Sequence, residues 1–467
     1  MKRNLILVLL ICWFFGLGNC FAGLSLKLAP INPEFLKWKK LKVKQLKTKD
    51  GHPLGHIPAP FVIFPKDKKI NVNKKEIQVL PERFDLRDVN GVTPVRDQGY
   101  CGSCWTFATM ASLESYIKYK FGYKFDFSEQ DLNKNHGFSF SECEGGNAFM
   151  STAYLARWQG PIRESDMPYP YSYTYNPVAH IQDVYFLPVN IDLIKKAVYY
   201  RGSVYIAFDY EDQYYNSSTS SYYNPNSDWA NHAVAIVGWD DNFPKENFAI
   251  QPPADGAFIV KNSWGEEWGE NGYFYLSYYD KTLEEATGFL EAERPVNYSK
   301  KYGYDPLGLV VALGIRGENP PNIGWMANVF ETDQNARTIK AVSFYAVAPN
   351  VRYDIYIVDN VKDSPSSGNV VKHISGRIPY GIGGYFTVKV GNVYINGDKF
   401  CVVVKLINPE GWDYPIPLEI KYPGYSDAAT SAPGQSFVTD NPKNGWEDLY
   451  YGLPDYFPNA CIKVFAE

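Results

Sequence analysis

Two cysteines stand three residues apart in the stretch TPVRDQGYCGSCWTFA, residues 93–108, and they are the first residues of this sequence that could do chemistry. Cys101 and Cys104 could form a redox pair, supply half of a zinc site, or combine one structural cysteine with one reactive cysteine. A redox pair is expected at the end of a strand in a βαβ unit, and no parallel-sheet pattern surrounds this one. A zinc site needs a second ligand pair, and His136 and Cys143 do not form a recognisable one.

A nucleophilic role explains Cys104 better. Apolar residues at helical spacing follow it, so Cys104 is predicted at a helix N-terminus, where the helix dipole and a nearby imidazolium lower the pKa of a thiol. A cysteine nucleophile also needs a histidine and a group that orients the histidine. His232 opens the apolar stretch NHAVAIVGW, and Asn262 in KNSWGEEWG can hold an imidazole ring while Trp264 covers that bond from water.

Composition and charge limit the class of protein. The 467 residues are 45% apolar and 21% charged, which suits two or three globular domains. The net charge of −5 gives no reason to expect a nucleic acid as partner. Residues 23–80 hold 13 Lys and 4 acidic residues, an excess of +9, whereas residues 81–467 carry −16. We therefore expect the basic segment to dock on the acidic body and to obstruct the cleft of that body.

The N-terminus is typical of an exported protein. Lys2 and Arg3 precede an apolar run, and small residues near Ala22 suit cleavage, so residues 1–22 are predicted to be a secretory signal peptide. A lipoprotein site at Cys20 is the alternative. No later segment is apolar over 18 residues, so no transmembrane segment is expected. Export predicts an extracytoplasmic location and permits disulfides.

Changes of pattern divide the rest of the chain into three parts. Residues 23–80 are a Lys-rich and Pro-rich leader that cannot build a core alone. Residues 81–295 show helical patterns first, including one at residues 148–158, and strand patterns after residue 200, which predicts an α+β body of two lobes. Residues 296–467 show short strands and a hairpin signal at residues 396–397, which predicts an all-β sandwich.

The stretches QGYCGSCW, NHAVAIVGW and KNSWGEEWGENGY resemble the three signature blocks of the papain-like cysteine peptidases. The resemblance implies a helical lobe and a β-rich lobe with a cleft between them, and peptide-bond hydrolysis through a thioester acyl-enzyme, with no cofactor and no metal. Cys104 is implied as the nucleophile, His232 as its ion-pair partner and proton donor, and Asn262 as the group that orients His232. Gln98 and the backbone N–H of Cys104 are implied as the oxyanion hole.

The resemblance also implies a disulfide and a substrate cleft. Cys101 is expected to bond to Cys143, and backbone groups of two glycines are expected to pair with an extended substrate. The pocket for the second residue before the scissile bond is expected to be roomy, with a carboxylate at its floor that pairs with Arg or Lys, unless that glutamate is a solvated surface residue. The substrate-binding residues implied are Gly145, Gly146, Ala148, Ala230, Trp264 and Glu291.

The stretches APINPEFL and GHPLGHIPAPF in the leader, with YDPLG and YPIPLEIKYPGYS in the C-terminal segment, resemble the prokaryotic papain-like peptidases that carry a lectin-like domain. This implies protein or peptide substrates and a glycan or cell-surface ligand for the C-terminal domain, although no residue marks a sugar site. Cys401 and Cys461 lie on strand-like segments of that domain and could pair with each other. Two other functions stay open, a non-hydrolytic adhesin and an acyl transferase that uses the same cysteine chemistry.

Overall fold

The computed structural model describes residues 24–41, 46–65, 68, 79–171, 176–226 and 229–467. The predicted signal peptide lies outside the described residues. Within those ranges, no helix is both long enough and apolar enough to cross a membrane.

The helices of the body precede most of its strands, as the sequence predicted. The helix expected after Cys104 is the longest, and it ends at Gly122, whose φ of 72° provides the left-handed cap that favours glycine. The helix expected at residues 148–158 is present and ends two residues early. The described helices are α1 (Pro33–Leu41), α2 (Cys104–Phe121), α3 (Glu129–Asn135), α4 (Ala148–Ala156), α5 (Ile191–Arg201) and α6 (Leu449–Gly452).

The leader and the body contribute the first twelve described strands. They include the apolar stretches that the sequence assigned to strands, and His232 and Lys261 lie at ends of two of them. The strands are β1 (Ser25–Leu28), β2 (Leu46–Lys47), β3 (Pro53–Leu54), β4 (Arg83–Asp85), β5 (His180–Phe186), β6 (Val204–Phe208), β7 (Tyr215–Asn216), β8 (Ser221–Tyr222), β9 (His232–Asp240), β10 (Ala257–Lys261), β11 (Tyr273–Ser277) and β12 (Glu284–Glu293).

The C-terminal segment is built almost wholly of strands, which confirms its predicted all-β character. Two layers face each other, and the rings of Phe344 and Tyr353 meet between them with centroids 5.2 Å apart. The strands are β13 (Lys300–Tyr302), β14 (Val311–Arg316), β15 (Ile323–Glu331), β16 (Thr338–Ala346), β17 (Arg352–Asp359), β18 (Asn369–Arg377), β19 (Gly383–Tyr394), β20 (Lys399–Ile407), β21 (Ile416–Glu419), β22 (Ser436–Thr439), β23 (Glu447–Asp448), β24 (Asn459–Ala460) and β25 (Ile462–Ala466).

One sheet runs through both the body and the C-terminal segment. Its path is β13-β25-β16-β19-β5-β12-β6-β9-β10-β11-β8-β7, with β4 added beside β9. The junction is the antiparallel pair β5 and β19, in which Phe186 lies opposite Gly383. A second, six-stranded sheet in the order β18-β17-β20-β15-β22-β23 completes the sandwich. Backbone hydrogen bonds therefore join the two domains.

The leader docks on the molecule through backbone pairing and a buried ring. Strand β1 pairs with β14 of the C-terminal domain, and Ser25 lies opposite Arg316. The ring of Phe35 in α1 is fully buried and packs edge-on against Tyr422 and Tyr425, at centroid distances of 5.5 and 5.6 Å. The leader is docked, and these contacts are backbone pairing and ring packing on the C-terminal domain; a contribution of charge stays a prediction.

Candidate active site

Cys104 is the first residue of α2, at the predicted helix N-terminus, and its side chain is fully buried. Its Sγ accepts hydrogen bonds from the backbone N–H groups of Ala233, at 3.4 Å, and Gly55, at 3.3 Å. Burial raises the pKa of the thiol to about 11, and these two N–H groups act in the opposite direction. With the leader in place, the thiol is therefore protonated near neutral pH.

His232 is the first residue of β9, and β9 pairs with β10, which ends just before Asn262. The Oδ1 of Asn262 accepts a hydrogen bond of 2.8 Å from Nε2 of His232. This bond assigns the ring proton to Nε2 and the lone pair to Nδ1. Nδ1 is buried and has no hydrogen-bond partner among the described residues. The backbone N–H of the next residue, Ala233, donates to Sγ of Cys104, so β9 brings His232 into the neighbourhood of the thiol with one ring nitrogen unbonded.

Aromatic rings and burial fix the protonation state of this imidazole. The ring of Trp264 stacks on His232 with centroids 4.5 Å apart and planes at 25°, and Trp264 is itself buried. Burial lowers the pKa of His232 to about 3, against the hydrogen bond to Asn262, which raises it. The structure thus places Trp264 over the His232–Asn262 pair, and the pair is neutral while the leader covers it.

Gln98 faces the same point of the cleft from the loop before α2. Its Oε1 accepts a hydrogen bond of 2.7 Å from Ser263, which orients the amide. Its Nε2 donates to the carbonyl oxygens of Cys101, at 2.8 Å, and Pro53, at 2.9 Å. A side-chain amide beside the nucleophile already binds a carbonyl oxygen, which is what an oxyanion-hole donor must do.

One of the two carbonyl oxygens that Gln98 binds, that of Pro53, belongs to the leader, which runs through the cleft in extended form. His56 forms a parallel bridge with Gly146, so that N–H of Gly146 donates to Gly55 and N–H of Ile57 donates to Gly146. On the opposite wall of the cleft, the backbone N–H of His56 donates a hydrogen bond of 2.9 Å to the carbonyl oxygen of Asn231. The leader therefore occupies the strand position that the sequence assigned to a substrate.

Glycines make this close approach feasible. A Cβ at Gly55 would lie 2.0 Å from the carbonyl oxygen of Gly102, and one at Gly146 would lie 2.4 Å from the ring of Trp105. Gly145 has φ of 111°, and a Cβ there would lie 2.8 Å from the carbonyl oxygen of Gly55. The two glycines predicted to contact substrate, Gly145 and Gly146, thus both line the strand path through the cleft.

The pocket beside this path differs from the prediction at its floor. Ala148 and Ala230 are buried there, and their N–H groups donate to the carboxylates of Glu285, at 3.0 Å, and Glu284, at 2.9 Å. Glu291, the residue predicted for the floor, instead pairs with Arg201 at 2.9 Å. The prediction for Glu291 was wrong because the count back from residue 294 reached a partly exposed position near the end of β12, whereas the acids of the pocket lie six and seven residues earlier in the strand.

Sequence reasoning missed Glu284, Glu285 and Tyr205 as residues of this pocket. The signal was present in the stretch TLEEATGFL, where two successive acidic residues interrupt an apolar strand pattern. Strand alternation sends successive side chains to opposite faces, so the pattern alone does not bring both acids to one pocket. The bulge that does so is a tertiary feature.

The cysteine pairing follows the prediction in one place and departs from it in another. Cys101 and Cys143 form a disulfide that ties the loop before α2 to the loop before α4. Cys401 and Cys461 are both buried with free thiols, so their suggested pairing was wrong. Cys401 lies on β20 of the six-stranded sheet, whereas Cys461 adjoins β25 of the sheet shared with the body, and separate layers hold them apart.

Comparison with known sequences supports the arrangement. Residues 80–288 match the papain family cysteine proteases, and residues 302–466 match the lectin-like domain family. Cathepsin J of Mus musculus is 35% identical over 212 residues, which are 42% of this chain and 60% of that protein. The viral cathepsin of Cydia pomonella granulosis virus is 30% identical over 243 residues, which are 49% of this chain and 67% of that protein.

The chain belongs to the papain family of cysteine proteases, and it spans about 60% of the length of cathepsin J. The cysteine protease and lectin-like domains of Cwp84, a surface layer associated protein of Clostridium difficile, superpose on 95% of this chain and 98% of their own, with a TM-score of 0.78 and 25% identity. The clostridial protease Cwp84 after propeptide cleavage covers 82% of this chain and 99% of its own, with a TM-score of 0.73 and 27% identity. This chain thus pairs a papain-like domain with a lectin-like one.

Proposed function

We propose that this chain is an extracytoplasmic cysteine endopeptidase in which Cys104 is the nucleophile. The observation that carries the proposal is the neighbourhood of His232: its Nε2 is held by Asn262, its Nδ1 has no partner among the described residues, and the N–H of the next residue, Ala233, donates to Sγ of Cys104. A base oriented in this way next to a buried thiol is the arrangement that nucleophilic catalysis requires. Location outside the cytoplasm is supported by the Cys101–Cys143 disulfide and the likeness to a surface layer associated protein.

The reaction follows from these positions. Nδ1 of His232 takes the proton of Cys104, and the thiolate attacks the carbonyl carbon of the scissile peptide bond. Gln98 and the backbone N–H of Cys104 hold the oxyanion as it forms. His232 then donates the proton to the leaving amine as the C–N bond breaks, which leaves a thioester. A water molecule that loses its proton to His232 cleaves the thioester, releasing the acid and restoring the thiol.

We also propose that the chain is latent while residues 23–80 remain attached. The leader presents the N–H of Gly55 to the sulfur as a hydrogen-bond donor at 3.3 Å, which supports a bound pose in which the leader is not attacked. The neutral forms of Cys104 and His232 agree with this, because catalysis needs the thiolate. For the C-terminal domain we propose a binding role toward a glycan or surface ligand, supported by the lectin-like match, and a second role as an anchor for β1.

The mutational test compares substitutions at the three central residues. Cys104→Ala and His232→Ala are each expected to abolish peptide hydrolysis, because the two side chains act as one unit. Asn262→Ala is expected to retain more activity than His232→Ala, since it removes the orienting bond and leaves the base. Activity of wild-type level in Cys104→Ala would overturn the proposal. Transfer to an added amine in preference to water would favour the acyl transferase instead.

A further inference from the structure

The first and last strands of the C-terminal domain bring together a lysine and an aspartate that are closed off from water. Lys463 lies on β25, Asp305 follows β13, and Nζ of Lys463 is 2.5 Å from Oδ2 of Asp305. Their side chains are 2% and 0% exposed. A buried ion pair often costs more in desolvation than it gains in attraction. Stability alone is therefore a weak reason for this pair.

Several contacts hold the amine against the carboxyl group. Tyr302 pairs with Val464, which brings β13 and β25 together. Nζ of Lys463 also donates to the backbone carbonyl oxygen of Asp305, at 3.2 Å. A Cβ at Gly303 would lie 3.1 Å from Cγ of Lys463 and 3.5 Å from Oδ1 of Asp305, so the absence of a side chain there leaves room for the two groups to approach.

A second carboxyl group, that of Glu419 on β21, is fully buried close to this pair. Its Oε1 accepts a hydrogen bond of 2.7 Å from N–H of Leu307, and its Oε2 accepts one of 3.1 Å from Nδ2 of Asn459. Burial raises the pKa of Glu419 to about 8, and the neighbouring carboxylate of Asp305 acts in the same direction. Glu419 is therefore mostly a carboxylic acid near neutral pH, with a proton to give.

We propose that Lys463 and Asp305 condense into an amide bond within the chain, and that Glu419 is the group that moves protons during this reaction. The three groups are held together by the fold, and the reaction needs no reagent that the chain does not hold, because an amine and a carboxylic acid release only water. The site is a modification site of the C-terminal domain, and it does not depend on the peptidase function.

The reaction begins with a proton transfer inside the pair. The ammonium group of Lys463 gives a proton to the carboxylate of Asp305, which removes two buried charges. Nζ then attacks Cγ of Asp305, and a C–N bond forms. Glu419 donates its proton to the hydroxyl oxygen, which leaves as water when the C–O bond breaks, and it takes back the proton that the nitrogen loses. One positive and one negative charge disappear, so the net charge of the chain is unchanged.

Burial and contact favour this condensation, which the same groups do not undergo in water. Reacting groups held in good alignment behave as if present at about 10⁵–10⁸ M, and the closed surroundings keep water away from the product. Lys300 and Asp333 are an internal control in the same domain. Their charged atoms are 2.9 Å apart, but the side chains are 42% and 30% exposed, so we expect them to stay an ion pair.

The amide would close almost the whole C-terminal domain into one covalent loop. Asp305 and Lys463 are separated by 158 positions in the chain. A cross-link stabilises mainly by restricting the unfolded chain, and its effect grows with the length of the loop. The loop contains β14, the strand that pairs with β1 of the leader. A domain closed in this way therefore resists unfolding while it anchors the leader.

The test is a tryptic digest of the full-length chain after denaturation and reduction, read by mass spectrometry. Trypsin does not cleave after an acylated lysine, so the amide is expected to join peptide 302–316 to peptide 444–467 with the loss of one water. Unlinked peptides 302–316 and 444–463 of unmodified mass would overturn the proposal. A link from Asp305 to Lys301, another amine near it, would overturn the assignment to Lys463.

Variants of the full-length chain separate the amide from the ion pair. Glu419→Gln keeps both reactants and an oxygen that accepts from Leu307, but it has no acidic proton, so the peptides are expected to stay unlinked. Its thermal midpoint is expected to fall by about 10 °C, and circular dichroism checks that it is folded. Asp333→Asn changes the exposed pair and is expected to remain linked. A fully linked Glu419→Gln would overturn the role of Glu419, and a link between Lys300 and Asp333 would overturn the role of burial.

Discussion

The backbone N–H of Gly55 points at Sγ of Cys104 from 3.3 Å, so a peptide nitrogen of the leader lies where a carbonyl carbon would have to be attacked. The neighbouring carbonyl of Pro53 occupies the amide of Gln98. The leader thus uses the binding features of the cleft while offering the nucleophile nothing to react with. Two further contacts of the leader, the pairing of β1 with β14 and the packing of Phe35 on Tyr425, are made with the C-terminal domain.

Gly55→Ala is expected to open the cleft of the intact chain. The added Cβ would lie 2.0 Å from the carbonyl oxygen of Gly102, a contact that backbone atoms cannot relieve cheaply. Peptide hydrolysis by the uncleaved chain should rise at least about 10-fold, since about 1.4 kcal/mol of lost docking energy shifts the population by that factor. Leu41→Ala is the control, because Leu41 is a leader residue whose side chain is 57% exposed. Equal activity in the two variants would contradict the leader's role.

Phe35→Ala tests the second anchor of the leader. The ring is fully buried against Tyr422 and Tyr425, and truncation of a buried Phe costs about 3–5 kcal/mol. We expect faster proteolytic clipping within residues 23–80 and greater basal activity, with the domain that contains β20 still folded. Leu36→Ala is the matched control, because Leu36 is 38% exposed on the same helix. A leader that resists clipping equally in both variants would show that Phe35 does not anchor it.

Removal of the disulfide by Cys101→Ser is expected to lower the free energy of unfolding by about 3–4 kcal/mol, because the bond closes a loop between residues separated by 42 positions. Urea denaturation followed by tryptophan fluorescence measures this loss. Cys104→Ala changes the next cysteine in the chain and keeps the loop closed, so it should show little of the loss. If reduction of the wild type by dithiothreitol leaves the urea midpoint unchanged, the disulfide has no such effect.

Protection of Cys104 by the leader is expected to weaken as the pH rises. Burial, the largest single influence, lowers the pKa of His56, but the carboxylates of Glu285, Glu284 and Glu34 together outweigh it, so its pKa is raised above 6.5. A group whose pKa is raised on docking stabilises the docked state fully below its free pKa, and this stabilisation is lost as the pH rises through the docked pKa. Tyr205 faces the same ring but titrates at much higher pH.

The measurement is the rate of Cys104 alkylation between pH 5.5 and 9, divided by the rate for Gly55→Ala, which removes the intrinsic pH dependence of the thiol. The ratio should increase from about pH 6.5 upward. The same profile for His56→Gln should rise less steeply, because glutamine does not titrate and Glu285, whose pKa burial raises to about 7, is the remaining titrating group beside it. A ratio that falls with pH, or one that rises equally in His56→Gln, would rule out His56 as the titrating group.

Much of the fold was predictable because local patterns and global structure agree. The apolar period after Cys104 predicted α2, and the stretches beginning at His232 and ending near Asn262 predicted β9 and β10. The helix α5 was missed, since Lys195 and its tyrosines give it a weak apolar face. The β5–β19 junction was also out of reach, because it joins Phe186 to Gly383 across nearly 200 residues and no local signal specifies such a pair.

The candidate site, like the fold, was predictable from the sequence only in part. Cys104, His232, Asn262 and Gln98 were identified by motif, and the structure brings them together. The floor of the pocket was misassigned, because counting back from residue 294 could not show that Glu284 and Glu285, at the other end of β12, contact Ala230 and Ala148. The role of His56 was invisible, since a histidine in a Pro-rich leader gives no sign that tertiary contacts will place it beside the nucleophile.

The most direct test of the central claim is to alkylate the reactive thiol with an inhibitor directed at the cleft. The full-length Gly55→Ala chain is incubated with a peptide epoxide that reacts with catalytic thiols, and the labelled residue is located by peptide mass mapping. The account predicts one label, on Cys104, lost in His232→Ala and absent from the buried thiols of Cys401 and Cys461. Labelling of Cys401 or Cys461 at the same rate, or an unlabelled Cys104 in an open cleft that still hydrolyses peptides, would contradict it.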